Sequence, residues 1–241
     1  MSSESSGNPL GEPLSLNQDW NRQYIDGDWH SADDSIPVED PSTREIVASV
    51  PAGTTADVDA AYAAATEAQP HWAKTAPGER ARILRQFGNL VQTSDTELRE
   101  ILRAEAGSTE IKCDFEVSMT REVAHEAASL PARMSGDHRQ SNIDGKENII
   151  RREPSGVVTV ISPWNYPLDL SLRAVAPAIA TGNSVVLKPA TPTPISGGLA
   201  IARLFEETDL PDGVLNVITG RGSVLGDHLA GHSAADVVAF T

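Results

Sequence analysis

Apolar positions recur with two different spacings in the last third of the chain. The run 156–161 is short, continuous and rich in β-branched residues, which is typical of a buried strand. The segment after it predicts a helix that begins at Pro167, because apolar residues follow at i, i+4, i+7 and i+11. These residues are Leu168, Leu172, Val175 and Ile179. Further strands, separated by helices, are predicted at 184–187, 214–218 and 236–241. This alternation predicts βαβ units and a parallel sheet.

The N-terminal half carries mainly the helical spacing. The pair Thr54-Thr55 is suited to cap a first helix, because hydroxyl side chains accept hydrogen bonds from free N–H groups at a helix start. Three more helices are predicted to begin after Pro77, near Ser94 and near Thr109. The last of these is expected to bury an apolar stripe of Ile111, Phe115, Met119, Val123, Ala127 and Leu130. An Asp-Gly turn at 26–27 predicts a β-hairpin before the first helix.

Two segments lack a strong apolar pattern. Residues 1–19 begin with a polar stretch rich in Ser, Gly and Pro, and we expect a flexible tail. Residues 137–154 are polar and extended, with an Asp-Gly turn at 144–145. This second segment is predicted to be either a surface hairpin or an arm that pairs with the sheet edge of another subunit.

Composition narrows the classes of partner. The chain of 241 residues carries a formal charge of −15, whereas nucleic acids and anionic membranes require a basic face, so neither is an expected partner. With no signal-peptide pattern and no apolar run of membrane-spanning length, a cytoplasmic protein is expected. Only four of the 19 basic residues are Lys, and this acid-rich, Lys-poor composition resembles halophilic proteins. The single cysteine, Cys113, excludes an intrachain disulfide and a Cys-rich metal site, and a structural thiol is expected.

Pro163-Trp164-Asn165 lies where the strand 156–161 turns into the helix that begins at Pro167. In open α/β sheets, ligands bind at the carboxyl ends of strands, so this turn is a candidate site. Asn165 has two interpretations. Its side chain either bonds the nearby backbone of the turn or donates an N–H to a developing oxyanion.

Two further features follow the next strands. Lys188 ends an apolar strand and is either solvated at the end of the sheet or, together with Thr191, bonds the sugar hydroxyls or phosphate of a ligand. The glycines of Gly220-x-Gly222-x-x-x-Gly226 follow a strand and open a helix, an arrangement that can direct backbone N–H groups at a phosphate. The spacing is one residue longer than the dinucleotide fingerprint, so a simple tight turn is the alternative.

Several of these motifs together resemble the NAD(P)-dependent aldehyde dehydrogenase superfamily. The segments that carry the resemblance are 160–167 (Val-Ile-Ser-Pro-Trp-Asn-Tyr-Pro), 177–183 (Pro-Ala-Ile-Ala-Thr-Gly-Asn), 186–189 (Val-Leu-Lys-Pro), 210–216 (Leu-Pro-Asp-Gly-Val-Leu-Asn) and 238–241 (Val-Ala-Phe-Thr). The N-terminal segments 24–29 and 40–43 are similar to the family as well. The resemblance implies an α/β fold, with a helical N-terminal region and a Rossmann-like parallel sheet, as part of the aldehyde dehydrogenase fold.

The resemblance also assigns roles to residues. Asn165 would be the oxyanion donor of the catalytic site, and no metal ligand is implied. The cofactor, NAD or NADP, would be bound by Ser162, Pro163, Trp164, Lys188, Thr191, Gly222 and Gly226. Many members carry a Glu at the position of Thr191, where it repels a 2′-phosphate, so a neutral Thr predicts that NADP is tolerated. The partner would be a small-molecule aldehyde, and the full-length family implies a homo-oligomer.

The resemblance further divides the chain into parts. Residues 20–136 would be the helical part of the cofactor-binding domain, 137–154 an oligomerisation arm, and 155–241 a truncated Rossmann-like part. The family's nucleophilic Cys and general-base Glu would lie downstream of Thr241, in an absent catalytic domain. Two hypotheses follow: an oxidoreductase that converts aldehyde, NAD(P)+ and water into carboxylate and NAD(P)H, or a non-catalytic fragment of a split or frameshifted gene.

Overall fold

The computed structural model describes residues 14–241. The strands are β1 (Gln23–Ile25), β2 (Asp28–His30), β3 (Ser35–Glu39), β4 (Ile46–Pro51), β5 (Asp137–Gln140), β6 (Glu147–Ile150), β7 (Val157–Ile161), β8 (Ser184–Lys188), β9 (Leu215–Val217) and β10 (Val237–Phe240). The helices are α1 (Thr55–Lys74), α2 (Pro77–Thr93), α3 (Asp95–Ala106), α4 (Glu110–Ala127), α5 (Leu130–Arg133), α6 (Pro167–Ala180), a π-helical turn (Ile195–Leu199), α7 (Ala200–Glu206) and α8 (Gly222–Gly231). Among these residues, none of the helices has the length and apolar character needed to cross a membrane.

The central sheet has six strands in the order β10-β7-β8-β9-β1-β2. The strands β10, β7, β8 and β9 are parallel, which confirms the predicted α/β fold with a parallel sheet. The hairpin β1–β2 extends this sheet, because β1 pairs antiparallel with β9. The sequence predicted the hairpin, but its place at the edge of the main sheet depends on contacts between residues far apart in the chain.

The parallel strands β7, β8 and β9 are buried on both faces, as expected for βαβ units, whereas β10 at the edge of the sheet is largely exposed. Val158, Val160, Val185 and Leu187 belong to the larger core cluster, which includes α6 and the helices α2–α4. Val157 and Val186 point the other way, into a second cluster with residues of α1 and α8. The alternation of side chains along a strand therefore divides the core into two layers.

Helix α1 begins with a capping box, as the pair Thr54-Thr55 suggested. The Thr54 hydroxyl accepts from Asp57 N–H at 3.3 Å, and the Asp57 carboxylate accepts from Thr54 N–H at 2.7 Å. Its C-terminal part is tied to α6, because Trp72 Nε1–H donates to the Ile179 carbonyl at 2.9 Å. Arg80 donates to the Ala180 carbonyl at 3.0 Å, so the end of α6 is satisfied by side chains of the N-terminal half.

The predicted buried stripe of α4 is largely wrong. Ile111 is 82% exposed and Phe115 is 53% exposed, whereas Met119, Val123 and Leu130 are half-buried and Ala127 alone is buried. The buried face of α4 consists of Cys113, Glu116, Val117, Thr120, Ala124 and Ala127. Apolar spacing failed here because the packed face is small and polar. A buried carboxylate lies on it, and the larger apolar residues face outward.

Thr193 and Pro194 precede a π-helical turn at Ile195–Leu199, which continues as α7. Gly198 lies so close to Pro189 that a Cβ atom would come within 2.7 Å of the proline Cγ. This contact brings the turn against the segment that follows β8.

The two weakly patterned segments differ in the structure. Of the predicted tail 1–19, residues 1–13 lie outside the described residues, and Leu14 is buried in the larger core cluster. The segment 137–154 contains β5 and β6, which pair antiparallel in a separate two-stranded sheet with every strand residue exposed.

Candidate functional site

The carboxyl ends of three parallel strands meet at one edge of the sheet. Ile161 at the end of β7 is paired with Lys188 at the end of β8, and Ser162 N–H donates to the Lys188 carbonyl at 3.2 Å. The Thr191 hydroxyl donates to the Gly220 carbonyl at 3.2 Å, which joins the segment after β8 to the turn between β9 and α8. The structure thus brings together the three candidate segments that lie apart in the sequence.

Asn165 lies in the turn between β7 and α6 and is exposed. Among the described residues, no hydrogen-bond partner contacts its side-chain amide, so the interpretation as a turn-stabilising residue has no support in the structure. The neighbouring Trp164 is 63% exposed. Both side chains are therefore accessible at the carboxyl edge of the sheet.

Ser162 and Pro163 are less accessible than the two residues that follow them. Ser162 is buried, and its hydroxyl oxygen accepts a hydrogen bond of 2.6 Å from the Ser171 hydroxyl on α6. Pro163 is half-buried. The Ser162 side chain fixes the position of α6 behind the turn, so a ligand at the edge would meet the backbone of this residue.

Lys188 is 3% exposed, so the solvated alternative is wrong. Its Nζ donates to the adjacent Pro189 carbonyl at 3.0 Å, and no carboxylate of the described chain forms a salt bridge with it. Burial lowers the pKa of this ammonium group. A buried cation with one neutral acceptor is costly, and its remaining donors are suited to an oxygen-rich ligand.

The N-terminus of α8 is open. Arg221 occupies the N-cap position but makes no side-chain capping hydrogen bond. Gly222 is exposed, and a Cβ atom placed on Gly222 or Gly226 would meet nothing within 4 Å. The first N–H groups of α8 therefore have room for an anionic group at the positive end of the helix dipole.

Sequence reasoning missed the residues of α4 that support the Asn165 turn. The buried Glu116 carboxylate accepts from Leu168 N–H at 2.9 Å in the first turn of α6, whose N-cap residue Tyr166 provides no side-chain cap. The other Glu116 oxygen accepts from Lys112 Nζ at 2.8 Å, and Lys112 lies 4.5 Å from the centre of the Tyr166 ring. The i,i+4 spacing of Lys112 and Glu116 was the available signal.

Phe115 adds an aromatic surface beside this turn. Its ring centre lies 6.0 Å from that of Tyr166 in an edge-to-face arrangement. Phe115 and Ile111 are both exposed and lie one helical turn apart on α4. Phe115 therefore packs beside Tyr166, the residue that follows Asn165, and Ile111 lies one turn away on α4.

Cys113 lies on the opposite, buried side of α4. It is 0% exposed, and its sulfur lies 3.8 Å from the Arg99 carbonyl oxygen and 3.9 Å from that of Ser108. Burial raises the pKa of this thiol, which favours the unreactive protonated form. The structural interpretation of Cys113 is confirmed.

The edge as a whole fits a dinucleotide. Lys188 has donors that no described residue engages, and the open N-terminus of α8 lies on the next strand–helix connection. These groups match a ligand that carries both hydroxyls and phosphates, and Thr191 lies between them with its hydroxyl engaged by Gly220.

Comparisons with known proteins place the chain in a family. Residues 29–241 match the model of the aldehyde dehydrogenase family. The chain is 42% identical over 225 residues to a vanillin dehydrogenase of Corynebacterium glutamicum, covering 92% of this chain and 46% of the relative. It is 38% identical to an alpha-ketoglutarate semialdehyde dehydrogenase of Haloferax volcanii, covering 92% and 47%. The crystal structure of an NAD-dependent benzaldehyde dehydrogenase from Corynebacterium glutamicum superposes with a TM-score of 0.89 at 41% identity, covering 93% of this chain and 50% of that chain. The chain spans about half the length of the curated relatives it matches.

Proposed function

This chain belongs to the aldehyde dehydrogenase family, and we propose that it forms the cofactor-binding half of an enzyme that oxidises an aldehyde to a carboxylate with NAD(P)+ and water. The observation that carries the proposal is a pair of side chains. Within residues 14–241, the exposed amide of Asn165 has no hydrogen-bond partner, and the buried ammonium of Lys188 has no counter-ion. Both lie at the carboxyl edge of the parallel sheet, on neighbouring strand ends.

Asn165 is the oxyanion donor in this proposal. Its amide N–H would donate to the aldehyde oxygen as negative charge develops there. A donor held in place before the reaction stabilises that charge without reorganisation. Glu116 and the start of α6 hold the turn that carries Asn165, since the Glu116 carboxylate accepts from Leu168 N–H.

The dinucleotide would bind across β7, β8 and α8. Lys188 would donate to ribose hydroxyls, and the N–H groups at Gly222 would face the phosphates, with Gly226 leaving room beside the adenosine end. The backbone of Ser162 and Pro163 and the side chain of Trp164 would line the channel towards the nicotinamide. That ring, when bound, supplies the acceptor for the substrate hydride.

The proposed substrate is an aromatic aldehyde. Phe115 is exposed and packs beside Tyr166, the residue that follows Asn165, and an aromatic ring can pack on these two rings edge to face. Relatives of this chain include vanillin and benzaldehyde dehydrogenases. A short polar aldehyde would leave these rings in contact with water.

Cofactor binding is tested on the 241-residue chain by titration calorimetry with NAD+ and NADP+. Lys188→Met should weaken binding roughly 10- to 100-fold, because charge-assisted hydrogen bonds to the ribose are lost. Lys74→Met is the matched control, since Lys74 is exposed on α1. Unchanged affinity in Lys188→Met would contradict the assignment.

Catalysis is tested in a chimera that joins this chain to the second half of the vanillin dehydrogenase of Corynebacterium glutamicum. Asn165→Ala should lower kcat by a factor of about 10² to 10³. Asn89→Ala, an exposed substitution on α2, should leave kcat unchanged. A preference for short aliphatic aldehydes over benzaldehyde would contradict the proposed aromatic substrate. It would not contradict the proposed oxidation of an aldehyde.

The second candidate function is binding of the dinucleotide by this chain alone, without oxidation of aldehyde. It rests on Cys113, the single cysteine, which is buried and has a raised pKa. The purified 241-residue chain should give no aldehyde-dependent NAD(P)H absorbance at 340 nm. Turnover that survives Cys113→Ser would show that another group acts as nucleophile.

The hairpin β5–β6 is proposed to be an arm for homo-oligomerisation. Its strands form a separate sheet, and Ile149 is 63% exposed on it. Ile149→Asp should lower the mass of the assembly measured by light scattering after size exclusion. Ile46→Asp is the control, because Ile46 is 59% exposed on β4, away from the hairpin. An unchanged mass in Ile149→Asp would contradict the proposal that this hairpin is an oligomerisation arm.

A further inference from the structure

Two helices on the α1 face of the sheet bring together three side chains that the proposed reaction does not use. Asp59 lies near the start of α1, His228 lies in the last turn of α8, and His232 is the C-cap residue that directly follows α8. Each offers one ligand atom, and these atoms lie within 4.8 Å of one another. The three side chains are 57%, 38% and 19% exposed, respectively, so an ion can reach them from solvent.

The two histidines lie close together at the C-terminal end of α8. His228 is in the last helical turn and His232 directly follows the helix with an extended backbone, and the two imidazole ring centres are 5.7 Å apart. Asp59 faces both. Its Oδ1 lies 2.6 Å from His228 Nε2 and 3.4 Å from His232 Nε2. A carboxylate and two imidazoles form a donor set that suits borderline metal ions such as Zn²⁺.

The orientation of His232 is fixed by a buried neighbour. Its ring stacks on Tyr62, with centres 4.0 Å apart and planes inclined by 3°. Tyr62 is itself held by a hydrogen bond of 2.8 Å from its hydroxyl to the Leu229 carbonyl. The imidazole therefore presents its Nε2 atom towards Asp59 without needing to be ordered by a ligand.

We propose that Asp59, His228 and His232 form a surface site for a divalent transition-metal ion of the Zn²⁺ class. Zinc bonds of about 2.0 to 2.1 Å in a tetrahedral site separate the ligand atoms by roughly 3.3 Å. The pair Asp59–His232 already has this separation, and the pair Asp59–His228 opens by less than about 1 Å when the metal replaces the shared proton. Water occupies the fourth position.

Binding has an identifiable cost at His232. Its Nδ1 accepts a hydrogen bond of 3.2 Å from Ala234 N–H. Coordination through Nε2 moves the ring proton to Nδ1, so this long hydrogen bond is released. The metal in turn links α1 to the end of α8, whose other end is the open N-terminus at the sheet edge.

The test is a titration of the purified 241-residue chain with Zn²⁺ in competition with a chromophoric chelator, together with a thermal unfolding scan. One equivalent of Zn²⁺ should bind per chain and raise the unfolding midpoint, because a ligand of the folded state alone stabilises it. Mg²⁺ at the same concentration should do neither, since it prefers oxygen ligands. Neither readout depends on catalytic activity or on dinucleotide binding, so failure here is distinguishable from failure of the proposed function.

Variants separate this site from other histidines and carboxylates. His228→Gln and Asp59→Asn should each weaken Zn²⁺ binding at least tenfold and abolish the rise in midpoint. His71→Gln and Glu67→Gln change exposed residues of α1 and should bind as the wild type does. Circular dichroism establishes that each variant is folded.

Two outcomes would overturn the proposal. Absence of stoichiometric Zn²⁺ binding by the folded wild type would mean that the three residues form only a hydrogen-bonded cluster. Binding that survives both His228→Gln and Asp59→Asn would place the metal elsewhere on the chain.

Discussion

Lys188 and Thr191 follow the same strand but differ in what they offer a ligand. The Lys188 ammonium has donors that the described chain leaves unused, while the Thr191 hydroxyl already donates to the Gly220 carbonyl. We therefore propose that Thr191 affects cofactor binding chiefly through its lack of charge. The sequence motif placed both residues at or after the carboxyl end of β8, but only the structure distinguished a buried cation with no carboxylate partner among residues 14–241 from a side chain engaged within the protein.

The neutral Thr191 leads to a prediction about cofactor choice. Thr191→Glu should weaken NADP+ binding at least about tenfold relative to NAD+, because a carboxylate repels the 2′-phosphate across a short distance. Thr191→Gln has nearly the same shape without the charge and serves as the control. The measurement is the ratio of the two dissociation constants from titration calorimetry, and equal ratios for the two variants would contradict the electrostatic argument.

Glu105 gives a prediction about pH. Burial raises its pKa from 4.5 to about 7, against the opposing effect of hydrogen bonds from Ser196 and from Ile195 N–H. The folded state thus holds the proton more tightly than the unfolded chain. The stabilisation is complete below about pH 4.5 and is lost as pH rises towards 7, at up to about 1.4 kcal/mol per pH unit.

Urea unfolding between pH 5 and 8 measures this effect. Glu105→Gln removes the titrating group, so the free energy of unfolding should fall less steeply with pH than in the wild type. Glu100→Gln, an exposed substitution on the same helix, should keep the wild-type slope. An unchanged slope in Glu105→Gln would show that the group does not titrate in this range.

At the scale of elements, two buried glutamates cap helical segments to which they are not connected in sequence. Glu116 of α4 accepts from Leu168 N–H of α6, and Glu105 of α3 accepts from Ile195 and Ser196 N–H in the π-helical turn. Neither capped segment has a side-chain cap of its own. Negative charge at a helix N-terminus also interacts favourably with the helix dipole.

Removing the Glu116 cap should destabilise the chain. Glu116→Ala leaves Leu168 N–H without this acceptor and Lys112 without its carboxylate, so we expect a loss of about 3 kcal/mol or more in the free energy of unfolding. Glu122→Ala, on the exposed face of α4, should change it by less than about 0.5 kcal/mol. Urea unfolding measures both, and a small loss in Glu116→Ala would mean that water replaces the carboxylate.

For the whole molecule, the net charge of −15 governs how stability responds to salt. Like charges spread over a compact chain repel one another, and salt screens them with a Debye length of about 10 Å at 0.1 M. We therefore expect the thermal midpoint to rise with KCl most steeply below roughly 0.3 M. A continued rise at molar KCl would favour the halophilic character that the composition resembles, and a midpoint that falls with added KCl would contradict the prediction.

The sequence by itself determined the local elements and the identity of the site motifs. The strands β7 to β10, the start of α6 at Pro167 and the capping pair at Thr54 follow from short-range spacing and backbone chemistry. Short-range patterns suffice there because the buried strands β7 to β9 are largely apolar, and because Thr54 caps the helix that directly follows it. The Pro-Trp-Asn and Leu-Lys-Pro segments likewise identified the family from the sequence.

Only the tertiary structure decided which face of α4 is buried, what surrounds Lys188 and which distant residues meet. Apolar spacing predicted that Ile111 and Phe115 are buried. In the structure Glu116 is buried instead, and its carboxylate accepts from the free Leu168 N–H at the start of α6. Asp59 and His228 are 169 positions apart in the chain, and their contact depends on how α1 and α8 lie on the same sheet face. Contacts of this kind are set by the register and packing of whole elements, which spacing within one segment does not contain.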